Sequence, residues 1–221
     1  MDHLKYLLSL FFPVCVACFL YTGPHDIYTA IVWTTPLWIL IFFDWQSPKV
    51  NLEKKSRIVS HYFYDAILYS LAFLQFLIIF LLLRYASQLQ WESAPDIATS
   101  LVNLLVMRIM VGTSSGSSAI IVAHELIHRS KYHLRVLGRL LLYTVCYEHF
   151  VIAHLRGHHL SVATPEDIAT ARLDESFDDY WKRVTLAHFK YAWSSELRRL
   201  GLRSTSGFHL KIFANSVLQG V

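Results

Sequence analysis

Apolar residues in this chain fall in long blocks separated by shorter polar stretches. The blocks cover about 4–21, 27–43, 62–83 and 97–120. Each approaches the ~20 mostly apolar residues that a helix needs to cross a bilayer, so the pattern predicts four transmembrane helices. The connection 22–26 holds Gly23 and Pro24 and is short enough to make the first two a hairpin. The stretch 134–153 also looks hydrophobic, but Arg135, Arg139, Glu148 and His149 interrupt it. Its clean apolar part, 140–147, is too short to span and predicts a re-entrant or interfacial helix. That reading returns the chain to the side it entered from, so the histidines on either side of the segment share one compartment. Residues 161–207 are polar and charged, and 208–221 turn apolar again, as a fifth membrane helix would begin.

Composition agrees with the pattern. Of 221 residues, 54% are hydrophobic and only 16% charged, well below the quarter usual in soluble domains. The chain therefore reads as a single all-α integral membrane domain over 1–221, with four transmembrane helices, one re-entrant helix and a cytoplasmic histidine-rich region. Its net charge of +4 is small, and the basic residues sit beside apolar runs. That distribution fits a lipid neighbour and no nucleic acid. Lys49, Lys54, Lys55 and Arg57 follow the second block, and Arg129, Lys131, Arg135 and Arg139 follow the fourth. The positive-inside rule puts both segments, and the N-terminus, in the cytoplasm. The first block lacks a strong basic start and an A-x-A site, and reads as a retained helix rather than a signal peptide. Three cysteines, an odd count with Cys15 and Cys18 inside an apolar block, argue against a disulfide framework.

Two compact histidine boxes carry the chemistry. The first is His124-Glu125-Leu126-Ile127-His128. Residues four apart share a helix face, so its two imidazoles can grip one metal. The second is His154-Leu155-Arg156-Gly157-His158-His159. It repeats the pair and adds a neighbour pointing about 100° away on an α-helix, toward a second metal or the opposite side of the same one. Imidazole suits iron, zinc, copper and nickel. His149, just upstream, is an intermediate candidate; His188 and His209 stand alone as ordinary histidines. HExxH is also the zinc-peptidase motif, with Glu125 as general base and Glu148 placed to be a third ligand. That alternative leaves the second box without a role. No GxGxxG or GxxxxGK[ST] occurs, so no nicotinamide or phosphate-binding loop is evident, and electrons for any redox reaction must come from a partner.

From His124 to about Arg199 the chain resembles the membrane alkane 1-monooxygenases and the related xylene monooxygenase, within the fatty acid desaturase–hydroxylase superfamily. HELIHR resembles their first box, HLRGHH their second, and the run Val162-Ala163-Thr164-Pro165-Glu166-Asp167 their following segment. The resemblance implies a non-haem di-iron centre held by His124, His128, His154, His158 and His159. It implies O2 as oxidant, a hydrocarbon substrate hydroxylated at its terminal methyl, and rubredoxin or a ferredoxin-type protein as electron donor. A bacterial inner membrane location is also implied. A basic set comprising Arg156, Lys182, Arg183, Arg198 and Arg199 is a candidate docking face for an acidic carrier. A fatty acid desaturase or hydroxylase of the same superfamily is the nearest alternative. Two departures stand out. Ala153 occupies the position where relatives carry Glu, and no segment after His159 resembles the family's third box. The chain is therefore expected to be C-terminally incomplete, either an inactive fragment or one completed by a second chain.

Overall fold

The computed structural model describes residues 4–47 and 61–201. The basic run Lys49–Arg57 and the apolar end 208–221 lie outside the described residues, as does His209. Among the described residues every regular element is helical. The chain divides into two compact units, Met1–His124 and Glu125–Val221.

In the first unit, α1 (Leu8–Thr22), α2 (Ile27–Val32), α3 (Thr35–Gln46), α4 (His61–Ser87) and α5 (Ala94–Ser115) follow the apolar blocks. Three helical stretches are long and apolar enough to cross a membrane: Ile27–Gln46, His61–Ser87 and Ala94–Ile127. The first block is different. Its helix has 15 residues after a single 3-10 turn, a rise of about 22 Å against a ~30 Å hydrocarbon core. Three long spans and one short apolar helix thus stand where four were expected.

Phe12, Val16, Phe19, Leu20, Ile78 and Met110 from α1, α4 and α5 form the unit's buried core. Other apolar side chains point outward: Phe73, Phe80 and Leu83 are each more than 60% exposed, as lipid-facing residues are. The helix ends are specified locally. Asp26 accepts the N–H groups of Tyr28 and Thr29 at the start of α2. Ser93 and Asp96 form a reciprocal capping box at the start of α5. Between these ends, Asn103 ties α5 to the hairpin, accepting from the His25 N–H and donating to the His25 carbonyl.

After α5 the coil widens to i→i+5 turns over Gly116–Ile121 before α6 (Val122–Ile127) resumes with the first histidine box. Buried Gln75 on α4 sits against this wide stretch, accepting from Ser118 Oγ at 2.8 Å with Ser115 Oγ at 3.3 Å. A buried amide in a spanning helix requires such partners. Gly112 and Gly116 have a spacing associated with close helix packing, but among the described residues a Cβ at either would meet nothing within 4 Å.

The second unit contains α7 (Tyr132–Tyr143), α8 (His149–Ile152), a second i→i+5 stretch (Ala153–His158), α9 (His159–Ser161) and α10 (Phe177–Arg199). The segment expected as one re-entrant helix is two helices with a break. Thr144 and Val145 close the last turn of α7, and Cys146 takes a left-handed φ of 53°. At 12 residues, α7 rises only about 18 Å. Ser176 caps α10, with Asp178 and Asp179 in its first turn and Arg198 and Arg199 in its last, each sign matching its end of the helix dipole.

Candidate metal centre

The first box begins on α6, which carries His124, and His128 directly follows the last residue of that helix. His124 and His128 are exposed and His154 is buried. His128 Nε2 lies 3.1 Å from His154 Nε2, and His159 Nε2 lies 3.0 Å from the same atom. Two ligands at right angles on one ion at about 2.1 Å would stand about 3.0 Å apart. Ring nitrogens packed this closely cannot all carry protons. The donor set therefore fits a single transition-metal ion bound through neutral imidazoles.

The second box reaches this geometry through its backbone. In an α-helix, residues five apart lie about 140° apart, which would turn His159 away from His154. Over Ala153–His158 the backbone makes i→i+5 turns instead. The wider coil brings residue i+5 back toward the face of residue i, and the His154 and His159 rings meet edge to face at 4.5 Å. Gly157 permits the close approach of α10 to this stretch. A Cβ there would lie 3.1 Å from the Tyr191 ring, and the Tyr191 hydroxyl donates to the Arg156 carbonyl at 2.6 Å. Phe150 stacks on His154 at 4.8 Å, covering its other face.

His158 has a separate partner. Its Nδ1 is 2.8 Å from Asp167 Oδ2, and the Asp167 side chain is fully buried. A carboxylate only accepts, so Nδ1–H donates and Nε2 keeps its lone pair for a metal. Burial works against the Asp167 charge. Hydrogen bonds from Thr170, the Ala169 N–H and His158 outweigh it and lower the pKa. The loop carrying Asp167 is strapped to α10. Arg183 donates to Glu175 and to the carbonyls of Ile168 and Thr170, and Tyr180 donates to the Ala169 carbonyl.

All five histidines named from the two boxes fall among the described residues. The Nε2 atoms of His128 and His159 lie against that of His154, while His158 is turned to Asp167. Sequence reasoning gave Asp167 no role; the signal was present in the run Val162–Asp167, an acid eight residues past the box. His154 rather than Glu148 lies against His128 of the HExxH motif, and Glu125 pairs with Arg129 at 2.9 Å. Neither favours the peptidase arrangement. The basic docking set is also largely spoken for: Arg156 and Arg199 pair with buried Glu196, and Arg183 with Glu175.

A profile of the fatty acid desaturase family matches residues 99–216, more than half of the chain. Among curated proteins, the chain is 35% identical over 119 residues to alkane 1-monooxygenase 2 of Pseudomonas aeruginosa, covering 54% of this chain and 32% of that protein. It is 41% identical over 90 residues to alkane 1-monooxygenase 1 of the same species, covering 41% and 24%. To the alkane 1-monooxygenase of Pseudomonas putida it is 34% identical over 116 residues, covering 52% and 28%. The chain matches about a third or less of the length of these relatives. The two histidine boxes, the nitrogens of His128 and His159 converging on His154 and the profile match agree: the chain belongs to the fatty acid desaturase family.

Proposed function

We propose that this chain carries the first two histidine boxes of a membrane non-haem di-iron monooxygenase that hydroxylates the terminal methyl of alkanes or similar hydrocarbons. The observation that carries the reading is the convergence of the His128 and His159 Nε2 atoms on that of His154, in a chain that also holds long apolar helices. In this reading His124, His128, His154, His158 and His159 hold the iron. Iron, when bound, supplies the activation of O2 that an unactivated methyl requires, since such a C–H bond gives no handle for acid–base or nucleophilic chemistry. The chain's own residues prepare the ligands. Asp167 fixes the His158 tautomer, Phe150 shields His154, and Gly157 with Tyr191 holds the second box in its wide coil. The apolar spans admit a substrate that partitions into lipid.

Arg129, Lys131, Arg135 and Arg139 next to the first box support a cytoplasmic site, where rubredoxin or a ferredoxin-type donor would deliver electrons. A second chain supplying further histidines is part of this proposal. The names of the relatives favour hydrocarbon over acyl-lipid substrates; the family profile supports the latter as the second reading.

The test is metal analysis of the purified chain, together with octane feeding of cells that also express rubredoxin and its reductase. Iron in the intact protein, its loss in His128→Ala and 1-octanol in the medium are expected. An acyl-lipid product in place of octanol moves the assignment to the second reading. Equimolar zinc with no iron overturns both.

A further inference from the structure

Arg108 is a charge set in the middle of a membrane-length helix and turned outward. It lies on α5, within the apolar stretch Ala94–Ile127. Trp91 and Glu92 precede that stretch, and Arg129 and Lys131 follow it. The midpoint falls between Met110 and Val111. Arg108 is therefore about 4 Å from the middle along the axis, and roughly 11 Å inside the nearer edge of a ~30 Å hydrocarbon core. Charged residues at such depth are costly, and almost always face a bundle interior or a water-filled cavity and pair there. Arg108 does neither. It is exposed, and among the described residues its guanidinium makes no hydrogen bond, ion pair or ring contact. Arg84, at the end of α4, shows the contrast: it donates to the Tyr21 carbonyl and lies over the Tyr21 ring.

The face around Arg108 is open. Leu101, Leu105 and Gly112 share it, each about one turn from the next. Leu101 and Leu105 are 55% and 58% exposed, and a Cβ at Gly112 would meet nothing within 4 Å. Asn103, Val106 and Met110, on the opposite face, are buried. The unit thus packs against one side of α5 and leaves the other uncovered. The chain holds no acid to complete that side. Asp44 and Asp65 lie near the ends of their helices, and Asp65 is already engaged. Asp96 serves the capping box at the start of α5. Residues 202–221 contain no Asp or Glu. A second copy therefore offers no carboxylate at this depth. Arginine reaches lipid phosphates by snorkelling from near helix ends, not from mid-span.

We propose that the Arg108 face of α5 docks a transmembrane helix of a different polypeptide, one that carries an aspartate or glutamate at the depth of Arg108. The planar guanidinium donates to such a carboxylate through two parallel N–H groups. The missing side chain at Gly112, one turn away, lets the partner's backbone come close. The inference requires only that α5 span the bilayer; it does not depend on iron or on a hydrocarbon substrate.

The test places the full chain, donor-labelled, in phosphatidylcholine vesicles with acceptor-labelled leucine–alanine peptides that span the bilayer and carry a single central Asp, Leu or Lys. Energy transfer reads association. The Asp peptide is expected to bind wild type about tenfold more tightly than the Leu peptide does. Arg108→Leu should erase that preference without loss of helicity or melting temperature, because the residue faces away from the unit's core. Arg108→Glu should transfer the preference to the Lys peptide, and it carries the test should Arg108→Leu fail to fold. Equal binding of the Asp and Leu peptides by wild type, or an Asp preference that survives in Arg108→Leu, overturns the proposal. Energy transfer between differently labelled wild-type chains that Arg108→Leu abolishes also overturns it, making a second copy the occupant. So does loss of the Asp preference when phosphatidylglycerol is added, which would give Arg108 to a lipid headgroup.

Discussion

Replacing Asp167 by Asn changes one atom in a fully buried side chain and should disable His158 as a ligand. In the native chain Oδ2 accepts from His158 Nδ1 and Thr170 Oγ1, and Oδ1 accepts from the Ala169 N–H. Asparagine has one acceptor where aspartate has two. The backbone N–H of Ala169 is the donor that cannot rotate or change tautomer, so it should keep the remaining oxygen. The amide NH2 then faces His158 Nδ1. The ring can satisfy it by moving its proton to Nε2, the tautomeric inversion expected when a carboxylate that orients a histidine becomes an amide. A protonated Nε2 offers no lone pair. Outer-shell partners of ligating histidines are worth about 10- to 100-fold in metal affinity, or about 1.4 to 2.7 kcal/mol. Co2+ titration reads the affinity, and long-range 1H–15N correlation spectra of the metal-free protein read the tautomer. The expected result is a loss of at least tenfold with the proton on Nε2. An affinity within twofold of wild type, with Nδ1 still protonated, would refute the assignment of Asp167 as the residue that sets His158.

Two further outcomes follow from the packing around the second box. Gly157→Ala should destabilise the chain by about 1 kcal/mol in thermal unfolding, because the new methyl overpacks against a Tyr191 ring pinned by its own hydrogen bond. In a Tyr191→Ala background the same change should become neutral or stabilising, since alanine outranks glycine in helices by up to about 1 kcal/mol. Arg183 holds the Glu175 carboxyl down at a pKa of about 2 through its hydrogen bonds. A lowered folded-state pKa contributes stability above the unfolded value near 4.5 and loses it as pH falls toward 2. The melting-temperature gap between wild type and Glu175→Gln should therefore be widest above pH 5 and close toward pH 2; a gap independent of pH would contradict the ion pair's role.

The membrane character of the chain was legible because apolar block length is a strong, additive signal. α4 and α5 begin and end within a few residues of their blocks. The hydrophobicity of the first block runs through a 3-10 turn as well as a helix, a difference that composition does not register. By hydrophobicity alone the stretch 134–153 looks like one element. Tyr147 N–H reaching back to the Leu142 carbonyl and the left-handed Cys146 depend on local backbone geometry that hydrophobicity cannot encode. The histidines of the two boxes were legible from spacing alone. How His158 and His159 divide was not, because it follows from the wide turns over Ala153–His158, and these are sustained by Tyr191 on a helix more than thirty residues downstream. His188 was passed over for the same reason. An isolated histidine in a charged segment gives no sign of being buried until α10 is laid against α8.

The widened coil in the second box also sets what length changes the protein can absorb. Each i→i+5 turn holds one more residue than a regular turn, so deleting a single residue between His154 and His159 would let the backbone relax into ordinary helix. It would also swing everything downstream by roughly 100°. An insertion in the 162–175 loop, by contrast, would lengthen a surface excursion whose two anchors, Asp167 and Glu175, can each keep its grip. Indel tolerance should therefore drop sharply at the box and recover within a few positions of it. Such a profile would mark the spacing H-x-x-x-H-H as a rule about backbone winding as much as a tally of imidazoles.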